Sequence, residues 1–85
     1  MHNFNWLKMV KMETIKLKDE FIKLGQALKA VGFCESGVEA KFAVLDGVVT
    51  VNGETETRRG RKLYDGDVIE YEGKQVRIEG AKDDH

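Results

Sequence analysis

With 85 residues, 41% of them apolar, the chain has material for one thin two-layer core and none for a second domain. So short a chain buries only roughly 60% of its unfolded surface, which disfavours a deep dry catalytic pocket, and no apolar run approaches the roughly 20 residues a bilayer crossing requires. The net charge of −1 excludes a uniformly basic polyanion binder, but the charge is unevenly spread: residues 1–62 hold 11 Lys/Arg against 8 Asp/Glu, and residues 63–85 hold 3 against 7. The first part therefore carries +3 and the second −4, and a locally positive face remains available.

Residues 1–12 (MHNFNWLKMVKM) concentrate Phe4, Trp6, Leu7, Met9 and Val10 and read as a helical or loose extension preceding a domain over residues 13–80. They contain no continuous apolar stretch followed by a small-residue cleavage site, so no secretory signal is expected and a cytoplasmic setting is the default. Thr14-Ile15-Lys16-Leu17-Lys18 alternates in polarity at period two, the pattern of a half-buried strand. Asp19 then stands as an N-cap for a helix over residues 20–31, with Phe21, Leu24, Leu28 and Val31 as its apolar stripe and Gly32 ending it. Lys23, Gln26 and Ala30 fall opposite that stripe and Lys29 flanks it.

Cys34 has no partner for an internal disulfide and reads as a small packing residue in a reducing compartment. Ser36-Gly37-Val38-Glu39 has the form of a capping box opening a second helix, which runs to Asp46 and is closed by Gly47. That helix is nearly all apolar. Val38, Phe42 and Leu45 make one stripe and Ala40, Ala43 and Val44 another, so cover on two sides is expected, from the sheet and from the N-terminal extension.

From Val48 the period returns to two, and Asn52-Gly53 signals a hairpin because both central positions of a type I′ turn need positive φ. Glu54-Thr55-Glu56-Thr57 follows, then Arg58-Arg59-Gly60-Arg61-Lys62, a turn at Tyr64-Asp65-Gly66-Asp67, strands at Val68-Ile69-Glu70-Tyr71 and Gln75-Val76-Arg77-Ile78, and a polar tail over residues 81–85. The pattern predicts an α+β fold, two consecutive helices packed on a small, mostly antiparallel sheet.

Enzymatic chemistry finds little support. The histidines, His2 and His85, lie at the two ends, too far apart to join Cys34 in a closed zinc site, and no Walker or G-x-G-x-x-G spacing occurs. The carboxylate pairs Glu54/Glu56 and Asp65/Asp67 read as exposed groups beside turns, with little burial to separate their pKa values. The expectation is no catalysis, no cofactor and no metal. What remains is the basic run 58–62, four cations in five residues, with Lys41 as a fifth on a helix otherwise poor in charge.

The ordered set Ser36, Glu39-Ala40-Lys41, Val44, Gly47, Val49, Val51-Asn52-Gly53 and Gly66-Asp67-Val68-Ile69 resembles the S4 RNA-binding domain over residues 13–79. Phe21 to Lys29, with Glu56 to Leu63, resembles the small free-standing bacterial S4-like proteins, one-domain proteins with no attached enzyme. The resemblance implies an S4-like fold with its αL motif and a binding surface that includes Lys23, Lys29, Ser36, Lys41, Asn52, Arg58, Arg59, Arg61 and Lys62. Lys41 matches the family's basic helix position, whereas Gly37 stands where many members carry arginine. The implied partner is structured RNA, ribosomal RNA or its precursors or a tRNA-like RNA, bound by a monomer associated with ribosomal particles. Trp6, Tyr64 and Tyr71 are candidates to stack a base, with packing the alternative role for each. Two other functions remain open at this point: a protein-interaction module using the apolar N-terminal segment, and a DNA-binding protein.

Overall fold

The computed structural model describes residues 12–80, in the order β1 (Met12–Lys16), β2 (Ile22–Lys23), α1 (Leu24–Ala30), α2 (Gly37–Leu45), β3 (Val49–Val51), β4 (Glu54–Thr55), β5 (Lys62–Leu63), β6 (Val68–Tyr71) and β7 (Lys74–Glu79). Five strands form one sheet in the order β1-β7-β6-β3-β4, antiparallel except for the edge pair β1 and β7, while β2 and β5 form a separate antiparallel pair. The architecture is the expected one, two consecutive helices on a mostly antiparallel sheet.

The core follows from the two periods. On the sheet, Val49, Val51, Ile69, Val76 and Ile78 alternate inward, with Glu70 and Arg77 left in solvent. On the helices Leu24, Ala27, Leu28, Ala40, Ala43 and Val44 join the same buried cluster, as does Cys34, its thiol pKa pushed up by burial. Small residues on α2 let the helices approach one another closely while still covering the sheet. At the far end of β3, Asn52 and Gly53 have φ of 54° and 87°, so the two-residue turn joins β3 to β4 as the dipeptide predicts.

Three expectations are corrected. The first strand runs over Met12–Lys16, with the Leu17 amide donating to the Glu79 carbonyl at 2.8 Å, so it starts earlier and ends earlier than residues 14–18. Asp19 does not cap a helix: residues 18–20 form an exposed bend, and α1 begins at Leu24 with Lys23 as N-cap, its amide donating to Gln26 Oε1 at 3.2 Å. The reason is competition for backbone. Ile22 and Lys23 pair with Leu63 and Lys62, and the Leu24 and Gly25 amides donate to the Arg61 and Arg59 carbonyls at 2.8 and 3.0 Å. Helical spacing upstream of Leu24 is thereby overruled by a tertiary strand pair.

The third correction concerns Glu56, expected on an exposed strand face. It is buried, 6% accessible, and is the one buried charged side chain among the described residues. Of the two-sided cover expected for α2, the described residues supply one side: the Ala40 stripe is in the core, and Val38, Phe42 and Leu45 are 63%, 57% and 55% exposed. Most of the extension assigned to the other side, residues 1–11, lies outside the described residues, as do the tail 81–85, Trp6 and both histidines.

Candidate nucleic-acid interface

The segment after β4 is held in place by one carboxylate. Glu56 accepts from Arg58 Nε at 2.9 Å, Arg58 Nη2 at 3.2 Å, Arg61 Nη1 at 3.0 Å and the Arg58 amide at 3.0 Å. The hydrogen bonds from the Arg58 guanidinium, then those from Arg61 and the Arg58 amide, hold its pKa down, against the opposing effect of burial, from 4.5 to about 2. A charge-assisted, bidentate pair with a second guanidinium beside it is the geometry in which such bonds are strongest. Three chemically identical arginines are thereby sorted. Arg58 and Arg61 turn back to Glu56, and the chain between them bows outward at Arg59 and Gly60.

That bow seats on α1. Besides the two backbone bonds to Leu24 and Gly25, the Arg59 side chain lies across Gly25: a Cβ there would stand 2.6 Å from Arg59 Cγ. Glycine at position 25 permits this close approach, and a side chain there displaces the Arg59 stem.

Between the bow and the two helices lies a cleft of about 280 Å³ lined by Lys23, Gly25, Gln26, Lys29, Gly37, Ala40, Arg59 and Gly60. Three of the eight lining residues are cations and none is a carboxylate, and the small residues 25, 37, 40 and 60 keep its walls low. The strand register adds to the field. Lys23 is directly opposite Lys62 in the β2–β5 pair, a like-charge placement that destabilises a strand pair on its own and is relieved by a bound anion. Lys62 Nζ rests 4.7 Å from the Phe21 ring centroid, and Phe21 packs against Tyr64 at 6.0 Å.

Of the nine residues expected in the binding surface, Lys23, Lys29 and Arg59 line the cleft. Lys62 is on its margin through the register with Lys23. Lys41 is exposed and does not line the cleft; four residues after Gly37, it shares that side of α2 and extends the positive edge by one turn. Arg58 and Arg61 are engaged by Glu56, although the Arg58 side chain keeps 72% of its surface in solvent against 30% for Arg61.

Ser36 caps α2, its Oγ accepting from the Glu39 amide at 3.1 Å, while Glu39 Oε1 accepts from the Glu35 amide at 2.8 Å. Asn52 is not brought to the cleft. Its Nδ2 donates to Asp67 Oδ1 at 3.0 Å and its Oδ1 accepts from the Val68 amide at 2.9 Å, so it ties the hairpin to β6. Among the aromatic candidates, Tyr71 is buried against the core, at 6.0 Å from Phe33, and Tyr64 is 46% exposed.

Sequence reasoning missed Glu56, Gly25 and Gln26, whereas Gly60 was already part of the basic run. The available signal was an acidic residue two and five positions before Arg58 and Arg61, with no other negative charge in residues 55–64.

These features define an S4 domain. The S4 domain family model matches residues 15–79, and the chain belongs to that family. It is 49% identical over 59 residues to the probable ribosome maturation protein RlbA of Bacillus subtilis, covering 69% of this chain and 83% of that one. It is also 37% identical over 68 residues to the putative RNA-binding protein YbcJ of Escherichia coli, covering 79% and 97%. The solution structure of E. coli YbcJ, described as revealing an αL motif involved in RNA binding, superimposes with a TM-score of 0.64 at 34% identity, over 93% of this chain and 95% of that one. The 30S ribosomal protein S4e of Thermoplasma acidophilum superimposes with a TM-score of 0.54 at 26% identity, over 71% of this chain and 32% of that one.

Proposed function

We propose that this chain is a non-catalytic cytoplasmic RNA-binding protein that seats the backbone of a structured RNA in the cleft between α1, α2 and the Arg59 bow. The observation that carries the reading is the segregation of charge. Lys23, Lys29 and Arg59 line a cleft without a carboxylate, and the acid nearest Arg59 in the sequence, Glu56, is buried and neutralised by Arg58 and Arg61. Arg59 can hold a phosphate bidentately, while the lysines act as point charges.

Ribosomal RNA or its precursors, met by a monomer on an assembling ribosomal particle, is the target class. It is supported by relatives described as a probable ribosome maturation protein and a putative RNA-binding protein, and by the likeness to a ribosomal protein. With Lys23, Lys29, Lys41, Arg59 and Lys62 contacting phosphates, affinity is expected to fall about two orders of magnitude between roughly 50 and 200 mM salt, at a slope of about −0.7 per contact.

The test is charge reversal at exposed cleft positions. Lys23→Glu, Lys29→Glu and Arg59→Glu combined should cost more than about a hundredfold in affinity for an RNA hairpin and flatten the salt slope by about 2, with the circular dichroism unchanged. Unaltered affinity and slope would sink the assignment. An equal-salt competition in which duplex DNA displaces the hairpin would shift the reading from RNA to DNA.

A further inference from the structure

The exposed stripe of α2 has no part in the cleft. Val38, Phe42 and Leu45 recur at spacings of four and three on the side of the helix opposite the buried Ala40, Ala43 and Val44, and Val48, 51% exposed, continues the stripe into β3. Its two borders differ in charge. At 100° per residue, Lys41 falls on the border nearest the cleft-lining Gly37, and Glu39 and Asp46 fall on the other. Four side chains are far fewer than the roughly 20–30 residues a side of a stable dimer, so the stripe matches a short apolar segment better than a second copy.

The end of the sheet identifies which segment. Met12 opens β1 in register with Gln75, the neighbour of Lys74, whose Nζ stands 5.0 Å from the Phe33 ring centroid. Phe33 also packs against Tyr71 at 6.0 Å, and two residues further on the Glu35 amide donates to Glu39 Oε1 at 2.8 Å, so the turn into β7 lies beside the first turn of α2, which carries Glu39 of the acidic border. The chain preceding Met12 therefore enters at that border. Crossing three strand spacings from β1 to β3 is about 14 Å, a distance that five extended residues span at about 3.3 Å each.

The eleven residues available include Phe4, Trp6, Leu7, Met9 and Val10, with Lys8 and Lys11 to face Glu39, Asp46 and Glu72. We propose that residues 4–10 of this chain dock on the Val38/Phe42/Leu45/Val48 stripe, with Lys8 and Lys11 against its acidic border. The docked segment braces the outer side of α2, the helix that forms one wall of the cleft, and leaves the Lys41 border open.

Trp6 is the single tryptophan of the sequence and reports on the contact directly. In the full chain, its emission should be blue-shifted and protected from acrylamide, independently of protein concentration. Phe42→Lys and Leu45→Lys, both at exposed positions, should each red-shift the emission and remove the protection while the circular dichroism of the fold stays unchanged. The Lys8→Glu, Lys11→Glu double variant alters no residue of the described domain and should weaken the protection by repulsion from the acidic border. The proposal is overturned if Trp6 in the unaltered chain is quenched as readily as free tryptophan amide, or if its protection survives all three variants. Protection that disappears on dilution would also overturn it, in favour of a second copy.

Discussion

The two walls of the cleft reach their shape by opposite means. On the α1 wall, charge is abundant and is sorted: a buried carboxylate takes Arg58 and Arg61, and Arg59 is left to lie across Gly25 toward the cleft. On the α2 wall charge is scarce. Gly37 and Ala40 contribute only small surfaces, and Lys41 stands one turn beyond them. Burying one anion under two cations organises the loop, sets Lys62 over the Phe21 ring and leaves Arg59 without an ion-pair partner among the described residues.

The largest effect should come from breaking the sorted wall. Glu56→Ala leaves two guanidinium groups without their acceptor, and because both retain solvent access the cost should be about 1–3 kcal/mol, below that of a fully buried pair. Chemical denaturation measures it. The native pair also has a pH signature. Since the folded-state pKa of Glu56 is depressed from 4.5 to about 2, its contribution is complete above the unfolded value and is lost as pH falls through that window. Thermal melts of the unaltered chain should weaken across it more than those of Glu56→Gln.

Asn52→Ala tests the contrast from a position away from the cleft. Two side-chain hydrogen bonds, to Asp67 and to the first residue of β6, and a turn residue tolerant of φ 54° are lost together, for about 1–2 kcal/mol. RNA affinity at low temperature and its salt slope should not change, which would separate Asn52 from the binding surface.

Gly37→Arg makes the poor wall resemble the rich one. No atom lies within 4 Å of a Cβ built at Gly37, so the side chain fits. A further phosphate contact should steepen the salt slope by about 0.7 and raise affinity by up to about tenfold in a filter-binding titration. The smallest effect is expected from Gly25→Ala. Helix propensity favours alanine by about 0.5–1 kcal/mol, but the new Cβ displaces the Arg59 stem, so RNA affinity should fall several-fold with nearly unchanged stability.

Elements held together by neighbouring residues were legible in the chain. Ser36 caps α2 through a bond three residues long, the Asn52-Gly53 turn needs only its own backbone angles, and the Val49 to Val51 and Val76 to Ile78 alternations each meet the core as the pattern says. The start of α1 was not legible, since Asp19 has cap chemistry and Lys23 does not. What decides it is a backbone pairing to residues 59–63, some forty positions away in sequence.

The site divides along the same line. Composition and order determined that this chain would form a small S4-type module with a cationic segment after its hairpin, because hydrophobic period, caps and turns act over a few residues. Which of those cations face outward was decided only by tertiary structure. The fate of each arginine depends on where a single carboxylate is buried, and burial is a property of the packed layers rather than of any window of sequence.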